Sequence, residues 1–556
     1  MLPHFRSLLA LPLLAAGFSA CQSGGSGNRQ PADLLVYNAT VYTVDSAFSS
    51  AQAFAVKDGK FVGVGTAEEL RGQFEAKEEV DANGQFIYPG FYDAHCHFYR
   101  YALGLRDADL GGTASWPAVV AKLSQQRQQY PQAAWLTGRG WDQNDWPNKQ
   151  FPTKDTLDAL FPNTPVFIIR VDGHAALVNQ KALDLAGITA RTPISGGTIT
   201  KDAAGRLTGL LVDNAVDLVS AKIPEPGAAE AEAALLDAQQ RCLAVGLTSM
   251  ADAGLEKAQV DRLDQLQEAG KLKVRLHVML APTKQNKDFY LQNGPVLKDR
   301  LTVSSFKVYA DGALGSRGAC LVHPYQDKPQ ETGFLLSTEK EFRELAKLLA
   351  ASKFQMNTHA IGDSANRIIL DIYGEALKGQ KDRRWRIEHA QVVTPADMGK
   401  FGQFGIVPSV QPTHATSDMY WAGERLGAER LKTAYAYEQL RQQYGQVAIG
   451  SDFPVEDINP LFGFHSAVAR QDAKNYPAGG FQPANALSRP DALRGMTTWA
   501  AHAAFEDKQK GSIAPGMAAD FVVVDTHLLK APNERLRAAK VQQTWIAGEK
   551  VFSVKK

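Results

Sequence analysis

The sequence lacks several features that would each point to a particular class of protein. Its 556 residues include only four scattered cysteines, which argues against a disulfide framework or a CxxC metal site. The 60 Lys and Arg residues balance 59 Asp and Glu residues, and no dense basic run marks a nucleic-acid site. No apolar run approaches the roughly 20 residues that a membrane-spanning helix needs. We therefore expect a folded, globular protein that does not bind nucleic acid.

The first 21 residues have the pattern of a secretory signal. A His and an Arg precede an apolar run from Leu8 to Ala16, and small residues stand directly before Cys21. The segment resembles a bacterial lipoprotein signal, in which the cysteine is lipidated and becomes the mature N-terminus, although Phe18 replaces the usual aliphatic residue. The alternatives are an ordinary cleaved signal or a short N-terminal anchor. Residues 22–32 are Gly/Ser-rich and predict a flexible tether.

This pattern predicts where the protein works. We expect an exported lipoprotein that faces the periplasm or the cell exterior and touches the membrane only through the lipid on Cys21.

The two ends of the folded part are rich in β-strand patterns. Residues 33–85 alternate apolar and polar positions around the turn dipeptide Asp58-Gly59. Residues 511–556 show the same alternation around a turn at Ala547-Gly548-Glu549. Each end is too short to bury both faces of a sheet alone. We predict that the two ends meet in one composite β-sandwich domain.

The middle of the chain, residues 86–510, alternates buried strand runs with helical stretches, which predicts an α/β fold with a parallel sheet. The spacing of about 31 residues per unit predicts a (β/α)8 TIM-like barrel, with a large insertion at about 100–240 after the first strand. The eight runs are residues 86–98, 246–253, 273–280, 302–310, 354–360, 385–390, 405–410 and 446–452.

Candidate metal ligands stand at the ends of these runs. His95 and His97 are two positions apart, so strand alternation places both imidazoles on one face. His359, His389 and Asp452 end later runs, and the carboxyl ends of barrel strands meet at one rim. Imidazole and carboxylate groups can hold one or two divalent ions while one position stays open for water.

These residues lie in motifs that resemble the amidohydrolase superfamily. The motifs are PGFYDAHCHF (89–98), FKVYADGALGSR (306–317), NTHAIGD (357–363), RIEHAQ (386–391), GSDFPV (450–455) and GSIAPGMAADFVVVD (511–525). Within the superfamily, GRGWDQNDW (138–146), DGHAALVN (172–179) and DGALGSR (311–317) resemble the amidohydrolase 3 branch, which includes N-substituted formamide deformylases.

The resemblance implies a role for each candidate ligand, with zinc as the expected ion. Asp452 would contact the first metal and act as the general base, the alternative being a purely structural ligand. Lys307 would be carboxylated and bridge two ions; its alternative is an unmodified lysine paired with Asp311 in a one-metal site. The implied ligands are His95 and His97 for the more buried ion, His359 and His389 for the second, and Lys307 between them.

Five residues are candidates for contacting the substrate. Trp141 and Asp142 lie in the insertion and predict a lid or pocket wall, although Trp141 could equally pack the insertion onto the barrel. His174 is a candidate hydrogen-bond donor or a capped structural histidine. Arg317 and His414 follow the fourth and seventh strands and could reach the rim, where Arg317 would bind a carbonyl or carboxylate or form a salt bridge.

The predicted function is hydrolysis of a non-peptide amide-type C–N bond in a small N-acyl or N-formyl compound by metal-activated hydroxide. Two alternatives stay open: a one-metal deaminase of a cyclic amidine, and a non-catalytic lipoprotein that binds a solute or metal. A homodimer is compatible with the sequence.

Overall fold

The computed structural model describes residues 29–554. The signal-like segment with Cys21 and most of the predicted tether lie outside the described residues, so both stay predictions. The strand Gln30–Tyr37 begins inside the segment predicted as tether. Within the described part of the chain, no helix combines the length and the apolar character needed to cross a membrane.

Eight parallel strands follow one another in chain order around a nearly closed barrel, which confirms the predicted barrel. The last strand forms no ladder with the first, but the loop after it closes the rim: the Asp452 N–H donates to the His95 carbonyl at 2.7 Å. The barrel strands are Phe91–Cys96, Leu247–Leu255, Arg275–Leu280, Leu301–Tyr309, Gln355–Ala360, Arg386–His389, Val407–Val410 and Ala448–Ile449.

The first predicted run, residues 86–98, is divided between two sheets. Phe86–Pro89 pairs antiparallel with Phe521–Val524 near the C-terminus, and only Phe91–Cys96 belongs to the barrel. Gly90 separates them, and a Cβ there would lie 2.3 Å from the Thr248 hydroxyl oxygen. A glycine is therefore needed where the chain crosses between the sheets.

The segment after the first barrel strand forms its own six-stranded sheet, with a hydrophobic cluster on each face. Successive residues of one strand, such as Phe167 and Ile168, point to opposite faces of the sheet and therefore belong to different clusters. The strands, in spatial order, are Gly197–Lys201, Leu207–Asp213, Ala175–Val178, Val166–Arg170, Leu136–Trp141 and Ala108–Asp109.

Two further sheets are built from the ends of the described chain. They share one hydrophobic cluster, to which Phe54 of the first sheet and Phe521 and Trp545 of the second contribute. The first contains Lys60–Gly65, Ala53–Lys57, Gln30–Tyr37 and Phe74–Asp81. The second contains Glu549–Ser553, Val541–Ile546, Phe521–Val524, Phe86–Pro89, Thr40–Tyr42 and Ser50–Ala51.

Helices connect the barrel strands and cover their outer face, where they bury a large continuous core. The α-helices of residues 29–554 are Ala67–Gln73, Phe98–Gly104, Trp116–Gln129, Asp155–Leu160, Gln180–Ala186, Asn214–Ser220, Ala228–Ala244, Lys257–Glu268, Lys284–Asn293, Glu339–Ala350, Asp363–Leu377, Pro395–Met398, Lys400–Phe404, Pro412–Asp418, Ala422–Leu431, Tyr437–Tyr444, Pro460–Ala469, Arg489–Gly495, Thr498–Ala503 and Asn533–Leu536.

Candidate metal centre

The six predicted metal residues project from the carboxyl ends of five barrel strands into one cluster. His95 Nε2 lies 3.0 Å from Lys307 Nζ and 3.5 Å from Asp452 Oδ1, and His97 Nε2 lies 3.2 Å from the same carboxylate oxygen. The ring centroids of His359 and His389 are 4.5 Å apart, and those of His389 and His95 are 5.0 Å apart. The barrel thus gathers residues that lie up to two thirds of the chain apart.

Two members of the cluster adopt a backbone conformation that is uncommon for residues with a side chain. His389 has a φ of 73° and Asp452 a φ of 63°. His389 is the last residue of its strand and Asp452 lies three residues after the end of its strand, so in both cases the left-handed conformation redirects the chain where the strand ends. Such conformations cost free energy and persist where the surrounding structure holds them, which is frequent at functional sites.

Burial keeps the imidazoles of the cluster neutral. It lowers the pKa of His95, lowers the pKa of His97 to about 4, and holds the pKa values of His359 and His389 well below the usual range. Neutral imidazole is the form that binds a metal ion. The cluster is therefore ready to act as a ligand set at neutral pH.

The carboxylate of the cluster is ionised. Burial would raise the pKa of Asp452, but the nearby rings of His414 and His97 outweigh it and hold this pKa well below its usual range. His414 Nε2 lies 3.4 Å from Asp452 Oδ2. Asp452 can thus serve as an anionic ligand and as a proton acceptor.

The donor set fits a divalent metal ion. His95, His389 and Asp452 each offer a ligand atom, and these atoms all lie within 4.8 Å of one another. His389 Nδ1 is buried and has no hydrogen-bond partner among the described residues. Neutral imidazoles and a carboxylate are the ligands that zinc prefers in hydrolytic sites.

Lys307 is not paired with Asp311. The Asp311 carboxylate instead accepts backbone N–H bonds from Cys320, Ile361 and Gly362 at 2.8 to 3.0 Å. Lys307 is buried and forms no ion pair within the described residues; its ammonium nitrogen lies 4.5 Å from the centre of the Tyr309 ring. The alternative in which Asp311 neutralises an unmodified Lys307 is therefore wrong.

Glu388 supports the cluster and was missed by sequence reasoning. Its Oε2 accepts a hydrogen bond from His95 Nδ1 at 2.6 Å and another from Arg386 Nη2 at 3.0 Å. This bond leaves His95 Nε2 as the ligand atom. The sequence does indicate Glu388, because Arg386 and Glu388 are charged residues at alternate positions of a strand that is completely buried.

We expect Glu388→Gln to weaken metal binding by about 10- to 100-fold, because the amide no longer fixes the orientation and basicity of His95. Competition titration with a chelating dye measures the affinity. Glu506→Gln is the matched control, since Glu506 is also buried but bonds Tyr92 and Thr302 outside the cluster. An unchanged metal affinity in Glu388→Gln would contradict the role given to Glu388.

A cavity of about 640 Å³ opens above the cluster, with His359, His389 and Asp452 in its wall. Three of the predicted substrate residues, Asp142, His174 and His414, also line it. The His174 Nδ1 lies 2.7 Å from a carboxylate oxygen of Asp213, and the His174 ring lies 4.9 Å from that of His359. Insertion and barrel thus contribute to one cavity.

Trp141 and Arg317 do not line the cavity, so these two substrate predictions are wrong. Trp141 is completely buried, packs on Trp146 and donates its indole N–H to the Ile168 carbonyl at 3.1 Å. Arg317 instead forms a 2.7 Å salt bridge with Asp327. Both side chains therefore have structural roles: the Trp141 indole packs in the core, and the Arg317 guanidinium forms an ion pair at the rim.

Comparison with known proteins adds three similarities. The model of the Amidohydrolase family matches residues 78–552. The chain is 34% identical to Protein LONG AFTER FAR-RED 3 of Arabidopsis thaliana over 94% of this chain and 92% of that protein. It is 29% identical to the N-substituted formamide deformylase of Arthrobacter pascens over 93% of this chain and 98% of that protein.

Among solved structures, the fold is similar to an uncharacterized metal-dependent hydrolase from Pyrococcus horikoshii. The TM-score is 0.73 with 26% identity, and the match covers 90% of this chain and 99% of the other. The barrel fold, the histidine and carboxylate cluster at its rim and the sequence motifs therefore support the same family assignment.

Proposed function

The chain belongs to the amidohydrolase family, and we propose that this metal-dependent hydrolase cleaves an amide-type C–N bond, other than a peptide bond, in a small N-acyl or N-formyl compound. The observation that carries the proposal is an ionised carboxylate, Asp452, set among four neutral histidines in the wall of a substrate-sized cavity. The similarity to an N-substituted formamide deformylase supports the bond type.

The residues of the cluster divide into holding and reacting groups. His95, His97, His359 and His389, with Lys307 and Asp452, would hold one or two divalent ions, for which zinc is the expected metal. A bound divalent ion lowers the pKa of water and polarises a carbonyl oxygen. Glu388 keeps His95 in the orientation that this requires.

Asp452 acts as the general base and acid that transfers the proton. It can take a proton from the attacking water and return it to the departing nitrogen, which leaves as the amine. His414 lies between Asp452 and Glu456, with its Nδ1 3.0 Å from the Glu456 carboxylate. Burial would lower the pKa of His414, but these two carboxylates outweigh it and raise the pKa to about 10. A protonated His414 therefore holds the Asp452 side chain in place.

His174 is the residue that we expect to contact the substrate. It lines the cavity beside His359, and Asp213 fixes its ring through the 2.7 Å contact with Nδ1. A ring held in this way can orient a substrate by a hydrogen bond through Nε2. Asp142 lines the same wall but is engaged by Arg170.

The test is a turnover assay of the zinc-loaded protein on a panel of N-formyl and N-acetyl amines. We expect equal amounts of free amine and of formate or acetate, measured by amine derivatisation and by chromatography of the acid. Release of ammonia from cyclic amidines instead would favour a deaminase. Full metal occupancy without turnover of any panel member would favour a binding protein.

A further inference from the structure

Arg139 is an arginine of the cavity wall whose charge is not matched. Its Nε lies 3.4 Å from the Pro454 carbonyl oxygen and its Nη2 lies 3.3 Å from the Val171 carbonyl oxygen. Nη1 is buried and has no acceptor in the part of the chain that the structure describes. Among residues 29–554, no carboxylate lies within ion-pair distance of this guanidinium. A buried cation with a free donor is unfavourable unless a ligand completes it.

The other arginines of the cavity wall are already paired. Arg170 bonds Asp142 and Asp172, and Arg241 lies 3.3 Å from the Asp237 carboxylate. The acidic groups nearest Arg139 are engaged as well, since Asp172 pairs with Arg170 and Asp107 accepts a 2.5 Å hydrogen bond from Thr137. Arg139 thus forms no direct ion pair, and the Asp452, Asp172 and Asp107 carboxylates act on its charge only from a longer distance.

The backbone around Arg139 is shaped to present it. The pairing register of Leu136–Trp141 shifts between Arg139 and Trp141, as in a β-bulge, and Gly140 has a φ of 103°. Bulges beside active sites redirect a side chain. Opposite the guanidinium stands Gly173, where a Cβ would lie 3.6 Å from Nη2. A side chain at this position would pack against the guanidinium.

A second guanidinium, that of Arg100, lies close to Arg139. Burial and the nearby charge of Arg100 lower the pKa of Arg139 to about 10, against the opposing effect of the Asp452, Asp172 and Asp107 carboxylates. Arg100 itself forms no ion pair or hydrogen bond within the described part of the chain. Neither guanidinium forms an ion pair in the described part of the chain, so an anion that binds at Arg139 would be attracted by both charges.

We propose that Arg139 binds a carboxylate of the substrate, so that the substrates are N-acyl or N-formyl amino acids rather than neutral amides. This inference rests on the proposed function and narrows it. Arg139 is held against Pro454, two residues after Asp452, so the carboxylate would bind close to the bond that is cleaved. The planar guanidinium suits a carboxylate through paired N–H donors.

The experiment compares N-formyl-leucine, as both enantiomers, with its decarboxylated analogue N-(3-methylbutyl)formamide on the zinc-loaded full-length protein. We expect kcat/KM to favour the carboxylate compound by about 100-fold, and Arg139→Gln to remove this preference with little change for the neutral compound. Arg139→Lys should keep part of the preference. Arg241→Gln is the matched control and should leave it unchanged.

Equal kcat/KM values for the two compounds, or an equal loss for both in Arg139→Gln, would overturn the inference. Calorimetry on the same proteins separates it from the proposed function. If neither compound is hydrolysed, the proposed reaction fails for this class, but N-formyl-leucine that binds the wild type and not Arg139→Gln still supports the carboxylate site. Absent binding, or binding that does not depend on Arg139, rejects it.

Discussion

Replacing Asp452 by asparagine should lower kcat by about 1,000-fold or more, because the amide cannot take the proton from water or return it to the departing nitrogen. The substitution is nearly isosteric, and the amide oxygen can still face the cluster. We therefore expect the variant to keep its fold and most of its metal. Steady-state kinetics with elemental analysis of the same preparation measures both.

The matched control is Asp145→Asn, which makes the same change at an exposed carboxylate in the same cavity wall. Its kcat should stay within about twofold of the wild type, as is usual for surface changes. Full activity of Asp452→Asn with full metal content would reject Asp452 as the base. Lost activity together with lost metal would indicate a ligand role instead.

The pH dependence of activity should follow from the direction of the Asp452 shift. A depressed pKa means that Asp452 is ionised throughout the neutral range, so protonation of this residue should not reduce activity until the pH falls below the ordinary carboxyl range. A kcat profile that falls with an apparent pKa near 6 would have to arise from another group.

Five of the six candidate ligands could be predicted because each is a polar residue at the end of a buried strand run, whereas Lys307 was indicated only by the family resemblance. In a parallel barrel those ends meet at one rim, so sequence order alone brings His95, His389 and Asp452 together. The division of the first run at Gly90 was not predictable from periodicity, because both halves are equally apolar. The two halves differ in the strand with which each one pairs, and this pairing is determined by the tertiary structure.

The substrate residues were harder to predict for a physical reason. An indole in a rim loop can line a cavity or pack a core, and only the position of Trp146 and the Ile168 carbonyl decides that Trp141 is buried. Arg139 is the converse case. Whether an arginine is paired depends on carboxylates far away in sequence, so no local pattern could mark it as unmatched.

Lys307→Ala should lower kcat/KM by about 1,000-fold and leave at most one metal ion per chain, because it removes the group that would bridge two ions. Lys307 Nζ lies 3.0 Å from His95 Nε2, so the side chain reaches the centre of the cluster. A carboxylated lysine would supply a carboxylate that bridges the two ions. Metal analysis and kinetics of both proteins test this.

Chemical rescue makes the prediction specific. Truncation to alanine leaves room for a small acid, so acetate or propionate should restore part of the activity of Lys307→Ala, whereas Lys307→Met fills the space and should not respond. The unmodified wild-type peptide mass, together with one ion per chain in both wild type and variant and no rescue, would reject the bridge. The opposite set of results would establish that Lys307 is carboxylated and that the modified side chain bridges two ions.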